Sequence, residues 1–299
     1  MQFKALFQGV ESLDGTIALV NATTESLISV MVEVLKRTNA NFKLYNHQDI
    51  TVLIRTFNLA PELLTRIQVN TFETEEAALE RCLDDLKDNQ ADILMKGQIT
   101  SAQILSVVLK RHAHDKKTFL NHIALFEIPS YHKLLMISDV ALNIEPTEND
   151  TKAMIQNIVH FSKRLQYNQL YVALLSSVEK VNQKIPSTVK AAQVVQHFKT
   201  HPIDENVYID GPFALDNAID QQSAIQKGIQ SVVAGQADVL IVPSIDVGNV
   251  LYKSLTYFGQ AKVASLILGA QFPIVLTSRA DRIENKINSI LIALKLKAC

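Results

Sequence analysis

The sequence contains no tryptophan and only two cysteines, Cys82 and Cys299. Cys82 falls in a helical pattern and Cys299 is the last residue, so a structural disulfide is not expected. No Cys-X-X-Cys or Cys/His spacing points to zinc. Charge is also sparse: 20% of the residues are charged and the formal net charge is −1. A general nucleic-acid binder would carry a basic excess, which is absent. No apolar run approaches the roughly 20 residues that span a bilayer. The opening MQFKALFQGVESLDG lacks the charged head, apolar centre and small-residue cleavage site of a signal peptide. The expected location is therefore the cytoplasm. Several motifs are missing as well. Without GxGxxG or a P-loop, ordinary dinucleotide and nucleotide binding are disfavoured. Without GxSxG, so is an α/β-hydrolase. No HExxH or paired metal-carboxylate motif occurs, and no metal site is expected. His112 and His114 of KRHAHDKK would need further ligands that the sequence does not place, and a solvated loop is the favoured reading.

What the chain does have is apolar mass, 47% of its 299 residues, enough for two compact α/β domains or one large one. The pattern alternates strand and helix. TIALVNA (16–22) reads as a buried strand, and Leu27, Val30, Met31, Val34 and Leu35 come next on one helical face. ADILMKG (91–97) is a second such run, continued by Ile104, Leu105, Val108 and Leu109 as a helix. HIALFEI (122–128) and KLLMISD (133–139) read as two short strands joined by PSYH. A long helix is expected over about 150–166, then strands at YVALLSS (171–177), VYIDG (207–211), ADVLIVPS (237–244), KVASLILG (262–269) and FPIVLTS (272–278). Strands this apolar on both faces suit mostly parallel sheets covered by helices. The polar segment ISDVALNIEPTEND (137–150) suggests a hinge, giving a first α/β domain over 1–140, rejoined by a C-terminal helix over 279–299, and a second over 141–278.

Ligands of open α/β sheets bind at the carboxyl ends of the strands. The residues just past each strand are therefore the candidates. They include Lys96, Asp139, Asp210 and the Ser278–Arg279 junction, the last where an apolar strand meets an amphipathic helix. A helix N-terminus and a planar guanidinium both favour phosphate. Equally, Ser278 and Asp281 fit a helix-capping pair. Lys96 can meet a phosphate or snorkel to solvent. Asp139 and Asp210 can cap the turns after them. In DVGNVLYKSL, Asn249 reads as a helix start, as a cap or a ligand contact, with Tyr252 and Lys253 one turn in.

Seven stretches, in order from about residue 91 to the end, resemble the phosphate acetyl/butyryltransferase family, its butyryl branch most closely. They are ADILMKG (91–97), HIALFEIP (122–129), SDVALNIEPT (138–147), LLSSVEKVNQKIPSTV (174–189), DGPFALDNA (210–218), GQADVLIVPSIDVGNVLYKSL (235–255) and VLTSRADRIENKINSILIAL (275–294). The first 90 residues match loosely, mainly at TIALVNA.

The resemblance implies two α/β domains with mostly parallel sheets, isocitrate/isopropylmalate-dehydrogenase-like, with the active site in the cleft between them. It implies reversible transfer of a short butyryl or branched acyl group from acyl-CoA to inorganic phosphate, in a homo-oligomer with no metal or bound cofactor. Ser278 and Arg279 match the family's Ser-Arg pair. In the acetyl branch an Asp seven residues after that Ser acts as base toward the coenzyme A thiol. Here Asn285 occupies the position, with Glu284 and Asp281 as neighbouring carboxylates. Lys96 is the nearest cation to an Arg that the acetyl branch uses. Asp139, Asn143, Asp210, Asn249, Tyr252 and Lys253 match family motifs as substrate-binding candidates. The KRHAHDKK run is either a solvated face or a contact for the phosphates of coenzyme A. Three other functions stay open: a phosphate acetyltransferase, an oxidoreductase of the same fold, and a non-catalytic coenzyme A-binding relic.

Overall fold

The computed structural model describes residues 2–111, 119–278 and 280–298. The chain divides into two compact units, one formed by Phe7–Thr118 and Ala264–Cys299, the other by Met1–Leu6 and Phe119–Val263. Residues 137–150 lie inside the latter.

In the first unit, β1 (Thr16–Val20), β2 (Asn41–Asn46), β3 (Ile67–Thr71) and β4 (Ile93–Lys96) alternate with α1 (Glu25–Arg37), α2 (Glu75–Lys87) and α3 (Ser101–Arg111). The strands pair in parallel in the order β3-β2-β1-β4, and β4 then pairs with β11 (Ile274–Val275) from near the chain end. β10 (Lys262–Leu268) runs antiparallel to β11. Every residue of β4 is buried, as expected of a strand covered on both faces. Helix α1 buries Leu27, Val30, Met31, Val34 and Leu35, the face that the sequence spacing defines. Thr24 caps it, its hydroxyl accepting the Leu27 N–H. At the other end the Arg66 guanidinium donates to the carbonyls of Leu35, Thr38 and Ala40, satisfying acceptors that a helix end leaves open. The closing helix α7 (Ile283–Ala298) packs on α1 with Ile287, Ile290, Leu291 and Leu294 buried.

The second unit orders its strands β5-β6-β9-β7-β8: β5 (Asn121–Glu127), β6 (Leu135–Ser138), β9 (Val239–Ile241), β7 (Leu170–Leu175) and β8 (Val207–Phe213). All pairings are parallel except β5 with β6, the hairpin closed around PSYH. Helices α4 (Glu148–Arg164), α5 (Pro186–Thr200) and α6 (Ile245–Tyr257) cover it. Helix α4 opens on a capping box, Thr147 with Asp150, so it starts two residues before the expected 150. The core gathers Phe126, Ile137, Ala173, Leu240 and Val263 with Phe213.

Three sequence expectations need correction. Helix α6 starts at Ile245 with Ser244 in extended conformation before it, so Asn249 lies inside the helix and not at its start. Asp210 does not end a strand, because β8 continues through Gly211 and Pro212 to Phe213. The last helix begins at Ile283 and not at 279: Ser278, Ala280 and Asp281 form a turn ahead of it.

Candidate active site

Ser278 is exposed just beyond β11. Its N–H donates to an Asp281 carboxylate oxygen at 2.6 Å, and its Oγ accepts the Ala280 N–H at 3.4 Å. Ser278 and Asp281 thus bond each other as a capping pair would, but in a turn that precedes the helix. Arg279 lies outside the described residues, as do 112–118, which hold His112, His114 and most of the KRHAHDKK run. Glu284, in the first turn of α7, forms a two-point ion pair with Arg37 at 3.0 and 3.3 Å, and that pairing raises the Arg37 pKa. Asn285 is buried beside it.

At the carboxyl edge of the first unit, Asn21 adopts the left-handed conformation, with φ of 56°, immediately after β1. Asparagine tolerates this better than most residues. Its amide donates to Glu75 at 2.5 Å and its carbonyl faces His47 Nδ1 at 3.1 Å. Gln103 reaches the other Glu75 oxygen at 2.9 Å. Gly97, after β4, passes so close to β1 that a Cβ would collide with the carbonyl oxygens of Val20 and Asn21. Lys96 is buried and its Nζ donates to the Ile99 carbonyl at 3.3 Å, so the ammonium does not snorkel outward.

The carboxyl edge of the second unit is organised by Asp139, which is 1% exposed. One carboxylate oxygen accepts the Ala141 and Leu142 N–H groups, both at 2.8 Å. The other accepts the His122 N–H at 2.9 Å and the Asn143 amide at 2.7 Å. Asn143 also donates to the Leu120 carbonyl at 2.9 Å. The expected turn-capping role of Asp139 is therefore present, and Asn143 belongs to the same network. Gly248 of α6 lies on this loop, where a Cβ would collide with the Asp139 carbonyl oxygen. Asn249 donates weakly to the Val140 carbonyl, at 3.4 Å. The Tyr252 ring packs edge-on to Phe126, and Lys253 is exposed. Asp210 accepts the N–H of the adjacent Gly211 at 2.9 Å.

Two residues at this edge escape a reading confined to the residues just past each strand. Lys190 of α5 donates to the carbonyls of Pro146 and Pro243 at 2.7 and 3.2 Å, and burial lowers its pKa. His122 is buried at the start of β5, its Nδ1 without a partner among the described residues. Burial lowers its pKa, against the opposing pull of the Asp139 charge. Because β5 runs antiparallel to β6, its first residues and not its last reach the carboxyl edge. The two apolar runs flanking PSYH were the available signal. Among the described residues no group of three or more His, Cys, Asp or Glu is placed to hold a metal, and no helix is long and apolar enough to cross a membrane.

Polar and ionisable groups gathered at the carboxyl edges of helix-covered, mostly parallel strands are the arrangement of an α/β enzyme acting on small molecules. The model of the phosphate acetyl/butaryl transferase family matches residues 8–294. The chain belongs to this family of transferases. It is 38% identical over 285 residues to a probable phosphate butyryltransferase of Bacillus subtilis (strain 168), covering 93% of this chain and 92% of that protein. The crystal structure of a branched-chain phosphotransacylase from Enterococcus faecalis V583 superposes with a TM-score of 0.81 at 31% identity, covering 94% of this chain and 99% of that one. A putative 4-hydroxythreonine-4-phosphate dehydrogenase from Salmonella typhimurium shares the fold alone, with a TM-score of 0.58 at 12% identity over 95% and 99% of the two chains. The match from residue 8 extends the resemblance through the first 90 residues, where the sequence motifs were loose.

Proposed function

We propose that this protein transfers a short acyl group, butyryl or branched, between coenzyme A and inorganic phosphate. The observation that carries this reading is the family match over residues 8–294. The butyryl and branched-chain relatives support the acyl preference. Phosphate attacks the thioester carbonyl while both substrates are held together, and positioning supplies much of the acceleration. Arg279 grips the phosphoryl oxygens with its planar fork. The Ser278 hydroxyl, which accepts the Ala280 N–H in the turn ahead of α7, donates to the developing oxyanion. Coenzyme A esters are substrates in this scheme and no resident cofactor is invoked. The site of action is the cytoplasm, where both substrates occur.

The test is phosphate-dependent release of free thiol across acyl-CoA esters. Butyryl- and 2-methylpropanoyl-CoA should exceed acetyl-CoA in kcat/KM, since each methylene in an apolar pocket is worth about 1–3 kcal/mol. Arg279→Lys should lose about a hundredfold or more. An acetyl-CoA value equal to the butyryl one moves the protein to the acetyl branch. Coenzyme A binding with no turnover of any ester makes it a non-catalytic relic.

A homo-oligomer is part of the proposal. Helix α6 exposes Val247, Val250 and Tyr257 along one face, and Phe258, just past its end, is 88% exposed. The face borders a pocket of about 640 Å³ walled by Leu175, Leu215 and Leu251. Apolar stripes of this kind mark association surfaces. Sedimentation velocity should show a dimer or larger species that Val250→Asp dissociates; a wild-type monomer at micromolar concentration removes this part.

A further inference from the structure

Helix α6 is covered far less than the other helices of the second unit. α4 buries Met154, Ile155, Ile158, Val159 and Phe161, and α5 buries Ala191, Val194, Val195 and Phe198. In α6 Gly248 alone is buried. Its inner side rests on the core through the partly buried Leu251, Tyr252 and Leu255. Its outer side carries Val247, Val250, Ser254 and Tyr257, spaced at the alternating three and four residues of a helix-pairing seam. Tyr257 is 73% exposed. Along the N-terminal half of the same helix lies the pocket of about 640 Å³, where Val247, Val250 and Leu251 face Leu175, Leu215 and Pro243. Ser176 and Ser187 also line it, their hydroxyls 2.7 Å apart. One helix thus carries two exposed aromatic rings, Tyr257 and Phe258, at its C-terminal end and an apolar pocket with serine hydroxyls at its other half.

We infer, resting on the homo-oligomer reading, that this pocket receives Tyr257 of a second copy of the chain, the two α6 helices packing antiparallel across a twofold axis. A twofold contact needs a surface complementary to itself: where residue i meets j, j meets i. The seam provides this in one register. Val247 faces Tyr257 of the partner subunit, Val250 faces the partner's Ser254, and both pairs centre on position 252. The small Ser254 side chain lets the helices come close there. Parallel packing would set Asp246 against Asp246 and Lys253 against Lys253, and the antiparallel arrangement avoids both like-charge contacts. It also opposes the two helix dipoles. A tyrosine suits the pocket, because its ring meets leucine and valine walls while its hydroxyl finds the serine oxygens. Phe258, one residue on, covers the rim. Aromatic side chains bury about 150–250 Å² each. Four of them, two from each copy, supply about half of the roughly 1,600 Å² buried in a stable interface. The valines and pocket walls supply the remainder.

The experiment places cysteines in the seam of a chain carrying Cys299→Ser; Cys82, the other native cysteine, is buried. Val250→Cys and Ser254→Cys are prepared separately and also co-expressed, then oxidised and run on non-reducing gels. The co-expressed pair should give a covalent dimer, because position 250 of one chain meets position 254 of the other. Neither variant alone should cross-link, since its two cysteines lie beyond the roughly 7 Å between Cα atoms that a disulfide spans. A variant that cross-links with itself, or a co-expressed pair that does not cross-link while wild type sediments as a dimer or larger, overturns the pairing. Tyr257→Ala answers without cysteines. Loss of this anchor should raise the dissociation constant of the dimer by about thirtyfold or more. A folded Tyr257→Ala protein that associates as tightly as wild type empties the pocket of its proposed occupant. Wild type sedimenting as a monomer at micromolar concentration would show that the homo-oligomer reading itself fails.

Discussion

The two carboxyl edges are built by different means. In the second unit a single buried carboxylate, Asp139, draws in three main-chain N–H groups and one amide, and the loop after β6 has little freedom left. In the first unit the corresponding edge is held side chain to side chain, through Asn21, His47, Glu75 and Gln103, the last of them exposed. A main-chain lock sets shape; a side-chain network can rearrange when a ligand offers better partners. The difference teaches that a residue in a family motif can serve the fold as well as a ligand. The Asp139 carboxylate and the Asn143 amide nitrogen bond to the fold itself.

Removing Asp139 should therefore hurt most. Asp139→Ala takes the acceptor from four donors, the buried His122 N–H among them, and should cost about 3–5 kcal/mol in urea unfolding. A loss below about 1 kcal/mol would erase the contrast between the edges. Next come the two glycines pressed against carbonyl oxygens, Gly248 in the second unit and Gly97 in the first. Alanine in a helix interior normally gains about 1 kcal/mol over glycine. At Gly248 the collision should reverse that sign, for a net loss of about 1–3 kcal/mol by thermal melt, with Gly97→Ala similar. A stabilised Gly248→Ala would show that α6 does not rest on the Asp139 loop. The smallest effect belongs to Glu284→Gln. Its pairing with Arg37 leaves Glu284 51% exposed, so the change should cost no more than about 1 kcal/mol and leave kcat within twofold. A hundredfold fall in kcat would return Glu284 to the chemistry.

Much of this fold is legible in the residues themselves. The apolar runs of β1, β4 and β5, and the helical spacing of Leu27 through Leu35, lie where local pattern and burial agree. Pattern failed at boundaries. Asn249 resembled a cap because asparagine favours helix starts, yet Gly248 before it lets α6 approach Asp139, a contact between distant parts of the chain. The start of α7 was placed too early because Ser278 and Asp281 have the spacing of a cap, and only the three-dimensional turn shows them bonded before the helix. His122 went unread for a topological reason. Looking only past the end of each strand assumes that strands share one direction, and β5 runs the other way.

The hairpin that brings His122 beside Asp139 also bears on the order of assembly. Those two residues are 17 apart in sequence, so closing their contact needs only a short loop. The Asn21–Glu75 link spans 54 residues, and the first unit also needs β11 and α7 from the end of the chain before β4 and α1 have their neighbours. On the ribosome the hairpin with His122 and Asp139 can form while residues beyond 263 are still being made. The first unit, begun before the hairpin, must wait with an open edge on β4 and an uncovered face on α1 until residues 274–298 are made, an interval in which a nascent chain is exposed to aggregation.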